Sequence, residues 1–318
     1  MRLLSFQAGE SVKLGALATD GSVIDVLGRS PRPEFTSMQA LIEAGSGALN
    51  RLRDIVEAPG PTIAADTVTW LAPLPRPTQI RDFIVFEEHM RMAGWQGAKL
   101  REQWGAPPAP SEPPPVPPIW YQQPIYYKCN RFAVAGAGAA VAWPPYSKII
   151  DYELELACVI GRGGRDIPKD RAHEHIFGYT VFNDLTARDA QFREMQGPLG
   201  PAKGKDFDGA NVLGPVLVTA DELDPSDLRM TARVNGEVWS DGSTRTMHWS
   251  FADIIAHVSQ SETLHPGEIL GSGTVGGGCG LELGRFLKHG DVIELEVEGV
   301  GRLATLIHAP HVLVEARI

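Results

Sequence analysis

From residue 125 onward the chain alternates short apolar runs with glycine-rich breaks. "ELELACVIG", "FGYTVFND", "GPVLVTA", "RMTARVNGEVWS", "EILGSGTVGGG" and "DVIELEVEGVGRLATLIH" all favour strands. Residues two apart share one face of a strand, so this patterning predicts β-structure. In that region only "TARDAQFREMQ" and "SFADIIAHVSQS" suggest helices. Many strands, few helices and no βαβ alternation predict a mainly β (α+β) core and exclude a Rossmann sheet. "GSGTVGGGCG" lacks the Lys-Ser/Thr of a phosphate loop, so its glycines are assigned to close approach by a ligand or another strand.

Residues 1 to about 72 read as a small N-terminal α/β unit. "VKLGALATDGSVIDVLG" sets two apolar strands around Asp20-Gly21, a hairpin signal. "TSMQALIEAGSGALNRLRDIV" has the helical period, with Thr36 or Ser37 as cap. "LAPLPRPTQI" (71–80) holds three prolines and marks the boundary to a larger unit, 73–318. "GWQGAKLREQWGAPPAPSEPPPVPPIWYQQP" follows, and its prolines, dense over 107–118, bar helix interior and central strand. It reads as a stiff exposed linker, or as a lid or dimer-contact insertion. Trp95, Trp104, Trp120 and Tyr121 weigh against a pure linker.

Composition narrows the classes. The 318 residues, 43% hydrophobic, suffice for one large domain and a small one. A net charge of −10, with no long Lys/Arg run, argues against nucleic acid or anionic membranes as partners. No run approaches the ~20 apolar residues of a membrane span, and "MRLLSFQAGESVKLG" is no signal peptide. The three cysteines form no CxxC pair, which argues against a disulfide framework or zinc cluster. The expectation is a soluble protein of a reducing, cytoplasmic compartment.

The candidate chemistry starts in "DYELELACVIG", read as one strand from Asp151 to Gly161. Alternation puts Asp151, Glu153 and Glu155 side by side, running from a wet end into a dry core. Two charges ~7 Å apart repel by about 2 kcal/mol at an effective dielectric of ~20. A shared divalent cation would reverse that cost. Asp184, closing "FGYTVFND", supplies a third carboxylate, or else caps the helix that follows; Arg188 and Asp189 read as a surface pair.

"DYELELACVIG", "GYTVFNDLTARDAQ", "GKDFDGANVLGPVLVT", "VNGEVW" and "LHPGEILGSGTVGG" occur in this order. As a set they resemble the fumarylacetoacetate hydrolase family over roughly residues 75–318. The resemblance implies a mixed β-sandwich roll that binds Mg²⁺ (Ca²⁺ or Mn²⁺ as alternatives), usually as a homodimer. It implies Glu153, Glu155 and Asp184 as metal ligands, with Asp82 from "RDFIVFEEH" and His89 as the catalytic histidine. "CGLELG" offers Glu282 to orient His89. Lys205 matches a lysine beside the metal; Gln191, Thr274 and Tyr127 match substrate contacts. Asp151 has no carried role and is left at an exposed strand end. Met195 stands where fumarylacetoacetase has a tyrosine, and no arginine falls at its substrate-arginine spacing, although Lys99 and Arg101 lie close. The expected reaction is cleavage of a C–C bond in a β-dicarbonyl or acylpyruvate-type acid. His89 activates water, Glu282 steadies the imidazolium, and Lys205 with Gln191 stabilises the oxyanion. The alternative is a 2-oxo acid decarboxylase, hydratase or isomerase on the same site.

Overall fold

A computed structural model describes residues 1–197 and 199–309. Its main feature is an eleven-stranded mixed sheet. The order is Val23–Asp25, Ser11–Leu17, Arg2–Ala8, Asn211–Thr219, Ile176–Asp184, Leu154–Ile160, Glu268–Gly271, Gln79–Phe83, Tyr126–Lys128. Thr69–Trp70 and Val134–Ala135 pair off this path. A five-stranded sheet of Glu237–Ser243, Arg229–Val234, Val292–Val297, Gly301–His308 and Ala139–Ala142 packs against it.

The Leu154–Ile160 strand lies at the centre and is buried on both faces. Leu154, Leu156, Cys158 and Ile160 enter the core that also takes Leu295 and Leu303. Ala157 and Val159 face the other core, with Leu41 and Ile42 of the Met38–Glu57 helix. Each large aliphatic side chain so buried stabilises by about 1.5–3 kcal/mol. The N-terminal hairpin forms as its pattern predicts, and the helical stretch starts there too, with Ser37 capping through Ala40 N at 3.1 Å, but it is broken at Gly45, whose φ of 72° is non-helical. Residues 1–72 continue the large sheet, because Arg2–Ala8 pairs with Asn211–Thr219.

Two expectations change. The "DYELELACVIG" strand is broken: Ile150–Asp151 pairs with Thr186–Ala187 in a separate two-stranded sheet, and Leu154–Ile160 begins the long strand. All ten residues 151–160 are buried, so there is no wet end and no single row of acids. The segment from Gly94 to Glu102 is helical, as part of Glu87–Glu102, because the first proline comes only at Pro107. The proline-rich stretch is tied back to this helix, with Trp95 Nε1 donating to Pro110 O at 2.8 Å. Trp120, at its end, is buried and donates to Ile84 O.

Candidate active site

Three strand termini converge at one end of the large sheet. Asp82 is the last residue but one of Gln79–Phe83, Glu155 the second of Leu154–Ile160, and Asp184 closes Ile176–Asp184. Register aligns them: Gly271 pairs with both Asp82 and Ala157, and Glu155 pairs with Phe182. An oxygen from each of the three carboxylates lies within 4.8 Å of the others. Gly271 makes the approach possible, since a Cβ there would sit 2.4 Å from Asp82 Oδ1 and 3.0 Å from Glu155 Oε2.

The cluster is buried at the base of the site. Asp82, Glu155 and Asp184 are buried, and Asp184 Oδ1 has no hydrogen-bond partner. Gly273 N donates to Asp82 Oδ1 and Glu155 Oε2, both at 3.2 Å. Burial pushes Asp82 up to about 6 and Asp184 up to about 8, the latter despite Lys205. Burial and the facing Asp82 push Glu155 well above the usual carboxylate range. These groups resist ionising together without added positive charge. An all-oxygen, buried set of this kind, with one oxygen left without a hydrogen-bond partner, fits a hard divalent cation.

Glu153 is held differently. Lys205 Nζ bridges Glu153 Oε2, at 2.5 Å, and Asp184 Oδ2. Arg188 NH2 lies 2.8 Å from Glu153 Oε1. Burial opposes ionisation of Glu153, but Arg188, Lys205 and His89 outweigh it and hold its carboxyl well below the usual range. Burial likewise opposes the charge on Lys205, and Asp184 and Glu153 more than restore it. Tyr127 OH donates to Asp184 Oδ2 at 2.7 Å.

His89 sits in the first turn of Glu87–Glu102, buried, and its Nδ1 lies 2.6 Å from Glu282 Oε1. Glu282 belongs to a four-residue helix, Gly280–Leu283, and its side chain is 2% exposed. Gly277 N donates to Glu282 Oε2 at 2.9 Å. Burial opposes protonation of His89, but the Glu282 carboxylate prevails and raises its pKa. Burial also opposes the charge on Glu282, and His89 holds its pKa below the ordinary value. Cys279 Sγ donates to Glu282 Oε1 at 3.5 Å, and burial pushes its thiol well up.

A cleft of about 300 Å³ joins the two groups. Asp82, His89, Tyr127, Glu153, Gln191, Lys205 and Thr274 line it, with Phe83, Ile84, Ile125 and Tyr126 on an apolar side and Met195 also on its wall. The structure thus brings Asp82, His89, Tyr127, Glu153, Gln191, Lys205 and Thr274 to one cavity, with Glu155, Asp184 and Glu282 directly behind it. Lys99 and Arg101 lie elsewhere: Lys99 Nζ is 3.2 Å from the Trp95 ring and Arg101 stacks on Phe192.

Two side chains at the site are not where the sequence reading puts them. Arg188 is no surface pair with Asp189. It is 2% exposed and bridges Asp151 and Glu153, while Asp189 accepts from Ser147 Oγ and Lys148 N. Asp151 is fully buried. Asp184 is not a helix cap, since Arg188–Glu194 starts from Ala187 with no side-chain cap.

The fold and site define a mixed-sheet enzyme with a carboxylate cluster beside a His–Glu pair. Residues 81–308 match the C-terminal part of fumarylacetoacetate hydrolase, and the chain belongs to the fumarylacetoacetate hydrolase family. It is similar to the mitochondrial oxaloacetate tautomerase FAHD2A of Homo sapiens, 34% identical over 309 residues, 95% of this chain and 90% of the relative. Among solved structures it resembles the fumarylacetoacetate hydrolase of Exiguobacterium antarcticum, with TM-score 0.76 and 28% identity over 97% of this chain and 99% of that one. It also resembles the maleylpyruvate hydrolase of Sphingobium sp. SYK-6, with TM-score 0.71 and 25% identity over 97% and 100%.

Proposed function

We propose that this chain is a divalent-metal enzyme that enolises a small 2-oxo acid, its reaction being keto–enol tautomerisation of an oxaloacetate-type acid. The observation that carries the reading is the buried His89–Glu282 pair beside the cleft that Asp82, Glu155 and Asp184 back. The human relative, an oxaloacetate tautomerase, supports it. Asp82, Glu155 and Asp184 would hold the ion, with Glu153 at their border; Mg²⁺ is the ion proposed, Ca²⁺ or Mn²⁺ the alternatives. When bound, such an ion supplies Lewis-acid polarisation of the substrate's oxygens.

The chain's own groups then move one proton. Glu282 holds Nδ1–H of His89, leaving Nε2 as the basic nitrogen. Nε2 takes the proton from the carbon beside the 2-oxo group, and Glu282 offsets the charge that appears on the ring. Lys205 spends two of its three donors on Glu153 and Asp184, leaving the third for the enolate oxygen, with Gln191 as the neutral donor. Thr274 meets the substrate's carboxylate, and Tyr127, its hydroxyl proton held by Asp184, packs beside the substrate on the cleft wall. Return of the proton to oxygen gives the enol, with no net change of atoms.

A second reading, hydrolysis of a C–C bond in an acylpyruvate or other β-dicarbonyl acid, is favoured by the apolar wall of Phe83, Ile84, Ile125 and Tyr126, which leaves room for an acyl tail. His89 would there deprotonate water. In either case we place the protein as a cytoplasmic homodimer acting on a small molecule, with no nucleic-acid or membrane partner. The net charge of −10 weighs against nucleic acid and anionic membranes, and no helix among the described residues is long and apolar enough to cross a membrane.

The test is a panel of oxaloacetate, acylpyruvates and β-diketones, each with Mg²⁺ and with chelator. The expected result is faster decay of oxaloacetate enol absorbance with Mg²⁺, lost with chelator and reduced about 10²–10⁴-fold in His89→Ala. Acylpyruvate cleavage without tautomerisation would replace the first reading with the second. Wild-type rates in His89→Ala would overturn both.

A further inference from the structure

The proposed reaction gives Asp151 no role, yet both oxygens of this fully buried carboxylate are engaged. Its Oδ1 accepts from Gly280 N at 2.7 Å and its Oδ2 from Leu281 N at 2.9 Å. Arg188 Nε donates to the same Oδ2 at 2.8 Å. The two backbone donors belong to the first turn of Gly280–Leu283, the helix that carries Glu282. A buried carboxylate on such donors satisfies orphan N–H groups and complements the helix end. The approach is tight: a Cβ at Gly280 would sit 2.5 Å from Asp151 Oδ1. Arg188 then continues to Glu153 Oε1 at 2.8 Å and donates through NH1 to Gln191 Oε1 at 3.2 Å. One network therefore reaches both halves of the site, ending at His89 through Glu282 and at Lys205 through Glu153.

We infer that Asp151 is a positioning residue: it anchors the Gly280–Leu283 turn so that Glu282 meets His89 Nδ1, and through Arg188 it ties that turn to Glu153 and Gln191. The inference rests on the proposed role of His89 and Glu282. It explains why a carboxylate is buried in the middle of an apolar segment. Asp151 has no place on the cleft wall, so it acts only through Glu282 and Arg188.

The experiment is a double-mutant cycle with a spectroscopic readout. Asp151→Asn keeps the shape and one acceptor; Asp151→Ala removes both. Each is combined with Glu282→Gln, and circular dichroism selects the variants that keep the fold. The expected kcat loss is about 10-fold for Asp151→Asn and about 100-fold for Asp151→Ala, with KM changed less than about 3-fold. Added to Glu282→Gln, neither costs much more, because both act on one contact. Nitrogen-15 shifts of the His89 ring, assigned by their loss in His89→Gln, report the Nδ1–H form independently of any substrate. They should show that form in the wild type and a mixture of tautomers in folded Asp151→Asn. Additive kcat losses, or a His89 tautomer unchanged in folded Asp151→Asn, would overturn the inference. An inactive wild type whose His89 tautomer still responds to Asp151 would refute the proposed reaction and leave the positioning role standing.

Discussion

Glu153 and Glu155 stand two residues apart and are held in opposite charge states. Glu153 faces Arg188 and Lys205 and stays ionised; Glu155 faces Asp82 and Asp184 and is pushed toward its neutral form. This difference predicts how the metal-free protein responds to pH. Asp82 and Asp184 rise from an ordinary 3.8 to about 6 and about 8. Between those values the folded chain binds more protons than the unfolded one, so stability falls as pH rises. Their contribution is full below about pH 4 and lost toward pH 8, at up to about 1.4 kcal/mol per pH unit for each group. Calorimetry should show Tm of metal-free protein declining over that window, and Mn²⁺ or Mg²⁺ restoring it at pH 8. His89 predicts a second profile. It works as a base only when deprotonated, and its pKa is raised above 6.5 against the opposing effect of burial, chiefly by Glu282. The rate should therefore climb with pH through that raised value. In Glu282→Gln the climb should start at lower pH and reach a lower plateau, as read from kcat between pH 5 and 9.

At the scale of elements, strand ends and one glycine make the cluster. Gly271 ends the strand between those of Asp82 and Glu155, and any side chain there enters the carboxylates' space. Gly271→Ala should destabilise the fold by about 1–3 kcal/mol and weaken Mn²⁺ binding by titration calorimetry. Unchanged affinity in that variant would mean that Asp82 and Glu155 do not share an ion. The Glu87–Glu102 helix shows where local reading stops. Its first turn carries His89 and its outer face carries the proline-rich stretch, held by Trp95 to Pro110. Proline content told where a helix could not continue, and misled only in being extended back over 94–102, which holds no proline. Trp95→Ala should free the stretch, seen as faster proteolysis within 107–117 and an unchanged circular dichroism spectrum.

For the whole molecule, the division at residue 72 meets a shared sheet and a shared core. Leu3, Leu14, Leu41 and Ile42 pack in one cluster with Ala157, Val159, Leu217 and Ile269. A chain starting at residue 73 should therefore expose that face and aggregate, whereas the full chain stays dispersed; a soluble, metal-binding 73–318 fragment would show two self-sufficient units. Light scattering should give twice the 34.5 kDa of one chain for the proposed homodimer.

The sequence by itself determined the local backbone. Alternation set the strands, the helical period with Ser37 set the start of Met38–Glu57, and Asp20-Gly21 set the hairpin, because side-chain periodicity follows directly from backbone geometry. The ordered motifs also named the acids, the histidine and Glu282. Only the tertiary structure decided what surrounds each of them. His89 and Glu282 meet across 193 residues, and Asp151 and Arg188 meet across 37. Asp151 left the acidic row, and Arg188 went from an expected surface pair to a buried bridge. Charge state and burial depend on distances through space, which strand register and packing fix and which no local period along the chain encodes.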